Sequence, residues 1–453
     1  MNKRLEEFKN KIKGMEIDVL GIGISNVPII KFLAKNGANV TAFDKREKDA
    51  LGEVYGELEN LGVKFSLGEN YLDNINGQMV LKTPGMRFDT PQLLDAKERG
   101  AVITSEMELF FDFCPAKIIA VTGSDGKTTT TTIINKLLEK EGYKTWLGGN
   151  IGNPLFCSLE EISPDDLVVL ELSSFQLHTM KKSPNVAVIT NITPNHLDMH
   201  KSYQEYIDAK KNIMLYQNKE DLLVVNMEND VTREIGNEAK GGKIAFSNGK
   251  NSEVSRDSEY IYYKGEKILK ISDIKIPGNH NVENYMAAIG AVGEMVSKDT
   301  IKSVASDFGG VEHRIELVRI KDGIRFYNSS IDSSPNRTIN TLKVFPEKVI
   351  MIAGGKDKGI PYDEIGPSLV EKVKVLILIG ATAGKIRDAL KKTPGNESVE
   401  VIELSEYQEA VETAYKKAKS GDVVILSPAS TSFDKFKNFE ERGKLFRNIV
   451  NSL

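Results

Sequence analysis

The chain has 453 residues, enough for about three domains at ~150 residues each. Its 40% hydrophobic and 27% charged residues describe a globular protein with real cores, and 60 basic against 64 acidic side chains leave a net charge of −4 with the signs interspersed, which argues against a nucleic-acid partner. Cys114 and Cys157 are too few for a disulfide framework, the N-terminus MNKRLEEFKNKIKG lacks a signal-like apolar core, and no apolar run approaches the ~20 residues of a membrane span, so a cytoplasmic protein with no membrane partner is expected.

Three segments each open on a strand of the buried type. The first, EIDVLGIGISNVPIIKFLAKNGANVTAFDKRE, reads as strand, Gly-rich turn, helix with apolar Ile29, Ile30, Leu33 and Ala34, then the strand ANVTAF ending at Asp44. That is a βαβ unit. Gly21 and Gly23 begin a dinucleotide-type turn, but Asn26 stands where its third glycine belongs. With Asp44 roughly 20 residues further on, the turn reads as a site for a nucleotide diphosphate, not specifically for a nicotinamide cofactor. The pattern continues through GQMVLKTPGM to about Phe113.

The second segment contains IIAVTGSDGKTTTTTIINKLL, in which Val121 replaces the first glycine of the usual G-x-x-x-x-G-K-[ST] phosphate loop. Strand, turn, Gly-Lys-Thr and helix nevertheless occur in order. Such a turn aims successive backbone N–H groups and a helix N-terminus at one point, which makes an anion site. Lys127 would neutralise β/γ-phosphate charge, and the Thr128 hydroxyl would join Mg²⁺. The strands DDLVVLEL, NVAVITNI and DLLVVNMEND predict a parallel sheet covered on both faces. Glu171 ends one of them, at the edge where open α/β sheets present ligands, and is an expected Mg²⁺ ligand.

NITPNHLDMH supplies His196, Asp198 and His200, with Leu197 where a zinc protease would carry its catalytic Glu. A histidine at a strand end is usually structural; beside a phosphate loop it is also a candidate ligand for a second hard cation. Lys210 and Lys211 in YIDAKKNIMLY read by themselves as solvated lysines on an ordinary helix. Residues 242–276 alternate and carry turn signals, predicting a small antiparallel excursion before the helix HNVENYMAAIGAVGEMV. The third segment begins after FGGVEHRIELV and holds the strands EKVIMIAGG, VKVLILIG and GDVVILSP between helical patterns, again α/β. No solenoid repeat and no low-complexity linker is visible.

VTGSDGKTT, GGNIGNP, ELSSFQL, NITPNHLDMH, YIDAK, NHNVENYMAA, EHR and LSPASTSFDKFKNFEERG occur in the order seen in the Mur ligases, which the chain resembles over essentially its whole length. GGNIGNP with ELSSFQL, and the long C-terminal motif, are similar to the D-glutamate-adding branch. The resemblance implies three α/β domains. These are a Rossmann-like UDP-sugar-binding domain over 1–113, a central P-loop-type parallel-sheet ATPase domain over 114–310, and a Rossmann-like amino-acid-binding domain over 311–453. It implies ATP-dependent ligation of D-glutamate to the carboxylate of UDP-N-acetylmuramoyl-L-alanine, through an acyl phosphate, with ADP and phosphate released. That reaction belongs to peptidoglycan precursor synthesis, hence to cell wall biogenesis, cell shape and cell division. The alternative is a sister Mur or folylpolyglutamate-type ligase. A monomer using ATP as co-substrate and two Mg²⁺ ions is expected.

Residue by residue, the resemblance implies ATP binding by Gly123, Ser124, Asp125, Gly126, Lys127, Thr128 and Thr129, together with Asn281, Asn284 and Arg314. Thr128, Glu171, His196 and Lys210 would hold metals, Lys210 after carbamylation to a carboxylate. Lys127, His196 and Lys210 would be catalytic. Ser25, Asp44, Arg46, Thr83, Pro84 and Gly85 would line the UDP pocket, and Asn150 would contact the γ-phosphate or substrate. Lys358, Ser432, Phe433 and Phe439 would face the incoming amino acid. One departure stands out: the family's N-D-S-K-A-T-N stretch is YNSSIDSSPNRT here, with Ser329 replacing an Asp and Ile331 a Lys. Arg337 lies close by as a substitute cation of different reach.

Overall fold

The computed structural model describes residues 2–453 except Ile24, Asn153, Leu197, Asp198, Lys250, Asn251 and Lys358, so the readings of Asp198 and Lys358 lie outside the described residues. Three sheets grow from the three sets of apolar runs. In the first, β1 (Glu16–Leu20), β2 (Asn39–Asp44), β3 (Lys64–Leu67), β4 (Met79–Lys82) and β5 (Val102–Thr104) lie in the order β3-β2-β1-β4-β5, all parallel. Ile17, Val19, Leu20, Val80 and Leu81 are fully buried, because helices cover both faces of such a sheet and leave no polar side for alternation. The strand order reverses at β1, which opens a crevice beyond the carboxyl ends of β1 and β4.

The second sheet has nine strands: β6 (Lys117–Thr122), β7 (Thr145–Gly149), β8 (Leu167–Glu171), β9 (Val186–Ile189), β10 (Leu222–Asn226), β11 (Gly242–Ser247), β12 (Val254–Arg256), β13 (Tyr260–Tyr263) and β14 (Glu266–Lys270). Their order is β14-β13-β12-β11-β10-β9-β6-β8-β7. β6 lies between β8 and β9, with Val121 in register with Glu171 on one side and Val188 on the other. The chain passes to one side of β6 through β7 and β8 and to the other through β9 and β10. The loop after β6 therefore emerges at a reversal point, like the turn after β1.

The expected antiparallel excursion over 242–276 is only partly so. β11 runs parallel to β10, and β12 runs parallel to β11 through Phe246–Val254 and Ser247–Ser255. Reversal begins at β12–β13 and continues in β13–β14. Alternating polarity reports a half-exposed face and is blind to strand direction, so it cannot tell a hairpin from an arc that returns the same way.

One apolar cluster runs from Leu5 and Phe110 to Phe156, Leu177 and Ile213. The first two sheets thus share a core and form one compact unit, Met1–Asp273 with His280–Val304. The other unit, Ile274–Asn279 with Ala305–Leu453, holds β15 (Glu316–Lys321), β16 (Ile324–Asn328), β17 (Val349–Ala353), β18 (Val373–Leu378), β19 (Glu400–Glu403) and β20 (Val423–Leu426). Their order is β15-β16-β20-β17-β18-β19, with β15–β16 an antiparallel hairpin and the rest parallel. The three anticipated strands are β17, β18 and β20. Two apolar clusters, around Met351 and Leu376 and around Ile350 and Phe446, include buried residues of this sheet. Among the described residues no helix is long and apolar enough to cross a membrane.

One polar group lies in the shared core of the first unit. Glu106, in the first turn of the helix Glu106–Phe113, is buried and accepts the Phe156 N–H at 3.3 Å. Burial, only partly offset by that N–H, pushes its pKa up from 4.5 to about 7. An acid whose folded pKa lies above its unfolded value contributes most below the unfolded value and loses that contribution as pH rises through the folded one. At pH 8, Glu106→Gln should therefore be more stable than the parent, by at most about 3 kcal/mol. Thermal unfolding should show the gain shrinking towards zero on acidification to pH 4.5. A gain that does not change with pH would contradict this account.

Candidate active site

The loop after β6 begins with Gly123 at φ 152° and ends with Gly126 at φ 78°. A Cβ on Gly123 would lie 1.9 Å from Thr190 Oγ1, and one on Gly126 would lie 2.4 Å from Asn284 Oδ1. Glycine is required at both positions by close approach as well as by conformation. Between them the loop is fastened to the segment after β9. Ser124 N donates to the Asn191 carbonyl at 2.8 Å, Asp125 N to Asn191 Oδ1 at 2.9 Å, and Ser124 Oγ to the Thr193 carbonyl at 2.9 Å. Thr190 Oγ1 donates to the Asp125 carbonyl at 2.6 Å. The helix Lys127–Glu141 starts directly on the loop, with Thr128 and Thr129 in its first turn. Its N-terminal N–H groups and dipole favour an anion there. Lys127 Nζ bends back over the loop to the Ser124 carbonyl at 2.9 Å.

A connected polar set flanks this cradle. Thr128 Oγ1 donates to Glu171 Oε2 at 2.7 Å, and Asn150 Nδ2 donates to Glu171 Oε1 at 2.7 Å. Glu171 is buried at the end of β8, and the Asn150 N–H bonds its carbonyl at 2.8 Å. Lys210, from the helix Tyr203–Leu215, is buried and far from the solvated lysine that its helix alone suggests. Its ammonium donates to the Gly123 carbonyl at 2.8 Å and to Thr122 Oγ1 at 3.4 Å, and lies 4.7 Å from the centroid of the Tyr206 ring. Burial first, and then repulsion from Lys127, lower its pKa well below the ordinary lysine value. His196, at φ 53°, sets its ring 5.3 Å from Phe175 and 6.5 Å from Tyr206. Asn281 and Asn284, on the helix Asn279–Val292, reach the same loop: Thr130 Oγ1 donates to Asn284 Oδ1 at 3.2 Å, and Asn284 Nδ2 to Asn281 Oδ1 at 3.1 Å.

The oxygen donors Thr128 and Glu171 suit a hard divalent ion such as Mg²⁺. Lys210 as an amine or ammonium is not an oxygen ligand and enters such a set only as a carbamate. Tyr206 and residues 191–193 lie within YIDAK and NITPNHLDMH, but the sequence gives neither a role of its own. The Tyr206 hydroxyl lies 2.9 Å from Ser124 Oγ while its ring faces Lys210, which makes it the link between cradle and lysine.

In the first sheet, the Asp44 carboxylate accepts the Ile22 N–H at 2.8 Å and a two-pronged contact from Arg46, Nε at 2.9 Å and Nη2 at 2.8 Å. Burial opposes its ionisation, but the Arg46 and Ile22 bonds outweigh it and hold its pKa at about 2. Asn26 Nδ2 donates to the Leu20 and Gly21 carbonyls, so the residue occupying the third-glycine position pins the turn. Ser25 precedes the helix Asn26–Lys35, and Thr83 Cβ lies 3.2 Å from where a Gly21 Cβ would sit. Pro84 and Gly85 line a small groove with Met86, Phe88, His178 and His200.

The second unit carries Arg314, Ser432, Phe433 and Phe439. Ser432 is buried, Phe433 is exposed, and the Phe439 carbonyl accepts Ser330 Oγ at 2.8 Å. Arg442, fully buried, donates to Ser330 Oγ and O and to the Ser430 carbonyl, clamping the 329–330 and 430 segments together. It lies inside the long C-terminal motif but was not singled out there. Arg337 Nη1 donates to the Ile331 carbonyl at 3.0 Å.

Three family models match this chain: the Mur ligase MurD-like N-terminal domain over residues 15–105, the Mur ligase middle domain over 121–292, and the Mur ligase glutamate ligase domain over 313–430. The UDP-N-acetylmuramoylalanine–D-glutamate ligases of Acetivibrio thermocellus and Ruminiclostridium cellulolyticum are 55% and 54% identical to it, over the full length of both chains in each case. Among solved structures, the UDP-N-acetylmuramate–alanine ligase MurC of Thermotoga maritima aligns with a TM-score of 0.58 at 20% identity, covering 97% of this chain and 99% of its own. MurF of Thermotoga maritima in complex with ADP aligns with a TM-score of 0.54 at 17% identity, covering 98% and 97%.

Because a Gly123 Cβ would collide with Thr190 Oγ1 and crowd the Asn191 carbonyl at 3.1 Å, Gly123→Ala should displace the cradle. Calorimetric titration should show ADP–Mg²⁺ affinity falling by at least about tenfold, or ~1.4 kcal/mol, with the circular dichroism spectrum unchanged. Undiminished affinity would contradict the loop's role.

Proposed function

The chain belongs to the Mur ligase family, and on that premise we propose that it joins D-glutamate to the carboxylate of UDP-N-acetylmuramoyl-L-alanine, using ATP and releasing ADP and phosphate. The observation that carries this reading is the gathering of Lys127, Thr128, Glu171, Asn150 and Lys210 around the Gly123–Gly126 loop, in a chain that aligns end to end with D-glutamate ligases. We place the domain boundaries after Phe113 and after Gly310, and the reaction in the cytoplasm.

A carboxylate does not react with an amine at neutral pH, because oxide would have to leave. Transfer of the γ-phosphoryl group to the alanyl carboxylate gives an acyl phosphate. The glutamate amine then attacks the acyl carbon, phosphate leaves, and the amide forms with loss of a proton. The first step brings two anions together, so the site must be strongly electropositive. Lys127 and the helix N-terminus meet that need from one side. Mg²⁺ held by Thr128 and Glu171, and a second ion by His196 and the Lys210 carbamate, would neutralise the phosphates further. The low pKa of Lys210 favours the neutral amine, whose lone pair adds to CO₂ as its proton departs. Asp44, Arg46, Ser25 and the Thr83–Gly85 turn are assigned to the UDP moiety. Asn281, Asn284 and Arg314 are assigned to ATP, and Lys358, Ser432, Phe433 and Phe439 to the amino acid.

A sister ligase taking another amino acid is favoured by one observation, the exchange of Asp and Lys for Ser329 and Ile331. Phosphate release measured with UDP-N-acetylmuramoyl-L-alanine and a panel of D- and L-amino acids separates the two: D-glutamate alone should support turnover, and selective use of another amino acid would overturn the assignment.

Lys127→Ala should lower kcat by at least about a hundredfold, the scale of losing one charge-stabilising group, and normal turnover would remove the central role given to this lysine. Intact-protein mass spectrometry should find Lys210 heavier by one CO₂, lost at low bicarbonate. Lys210→Ala should be inactive and partly rescued by short carboxylates; full activity in that variant would rule out the carbamate.

A further inference from the structure

A cluster outside these groups remains unused by the reaction. His178 follows the short helix Ser174–Leu177 after β8, His200 ends the segment after β9, and Glu205 stands in the first turn of the helix Tyr203–Leu215. Their ligating atoms all lie within 4.8 Å of one another. His178 Nε2 is 3.3 Å and His200 Nδ1 3.9 Å from the same atom, Glu205 Oε1.

The His200 side chain is only 1% exposed. Its Nε2 meets Ser174 Oγ at 3.0 Å, which leaves the buried Nδ1 turned to the carboxylate without a hydrogen bond of its own. A buried ring nitrogen left this way is unfavourable unless something occupies it. The rings are held from outside: His200 stacks on Phe175 at 5.4 Å, and His178 meets Phe88 edge-on at 4.7 Å.

We propose that His178, His200 and Glu205 form a separate site for a divalent ion of the zinc class. Two imidazole nitrogens and one carboxylate oxygen are a zinc donor set, whereas Mg²⁺ prefers oxygen alone. Both histidines line the groove with Pro84, Gly85 and Phe88, which supplies the open side for a fourth ligand. Arg87 is the competitor. Its Nη1 lies 2.9 Å from Glu205 Oε1 while donating to the Met199 carbonyl at 2.7 Å, and Asp89 grips the rest of the guanidinium. Metal and guanidinium thus share one carboxylate, and removing the guanidinium favours the metal. The ion would join three segments that also carry Glu171, His196 and Lys210, so its binding stiffens the frame of the phosphate site.

The test uses the untagged full-length protein, stripped with chelator and titrated with Zn²⁺ alone against a chromogenic indicator. The expected result is one tight equivalent accompanied by a rise in Tm. Binding should weaken at least about tenfold in both His178→Ala and His200→Ala, strengthen in Arg87→Gln, and survive in Glu171→Gln. Should His200→Ala fail to fold, the more exposed His178 carries the comparison. Absence of stoichiometric binding, undiminished binding in His178→Ala, or loss of binding in Glu171→Gln would overturn the proposal.

Discussion

A buried lysine ammonium on the carbonyl of a loop glycine is the contact on which the site's geometry turns. Lys210 bonds the Gly123 carbonyl and Lys127 the Ser124 carbonyl, so two lysines meet on one short turn. Burial first, and then the like charge of Lys127, disfavour the charged form of Lys210, and its pKa is lowered accordingly. An arrangement of this kind persists where an anion of high charge is to be received, or where one lysine is to become an anion itself. Both outcomes relieve the same repulsion, and both serve the transfer of a phosphoryl group onto a carboxylate.

The sheet topology explains why these groups meet. β6 is flanked by β8 and β9, so the loops beyond their carboxyl ends share one crevice: the cradle after β6, Glu171 at the end of β8, and the 190–196 segment after β9. The turn after β1 repeats the device in the first sheet, where Gly21, Asp44 and Thr83 converge. The core shared by these two sheets fixes both crevices within one compact body. At Gly123, Gly126 and Gly149 another chain segment leaves no room for a Cβ; that of Gly149 would lie 2.2 Å from the Glu171 carbonyl oxygen.

Much of this was legible in the sequence because buried parallel strands write themselves as unbroken apolar runs, and the residues ending those runs are the ones presented to ligand. Glu171 is singled out on that rule, and Lys127 and Thr128 on the order strand, turn, Gly-Lys-Thr, helix. Lys210 was not: on its helix it looks like any solvated lysine, and only packing against Tyr206 and Gly123 removes it from water. The family resemblance, not the local pattern, marked it. Strand direction in 242–256 was misread because polarity alternation carries no sign. The sequence places Asp44 at a strand end but does not show its bonds to Arg46 and Ile22, a pairing whose geometry depends on how the chain leaves β2. The His178–His200–Glu205 cluster is assembled from three segments whose meeting no spacing foretells.

The central claim is that the cradle at Lys127 lets a carboxylate be activated as a mixed anhydride with phosphate, so that one carboxylate oxygen departs with that phosphate. The most direct measurement follows oxygen. UDP-N-acetylmuramoyl-L-alanine labelled with ¹⁸O in its alanyl carboxylate is turned over with ATP, Mg²⁺ and D-glutamate, and the released phosphate is examined by mass spectrometry or ³¹P magnetic resonance. The account predicts one labelled oxygen in each phosphate formed from doubly labelled carboxylate. Phosphate free of label, with amide still produced, would contradict it.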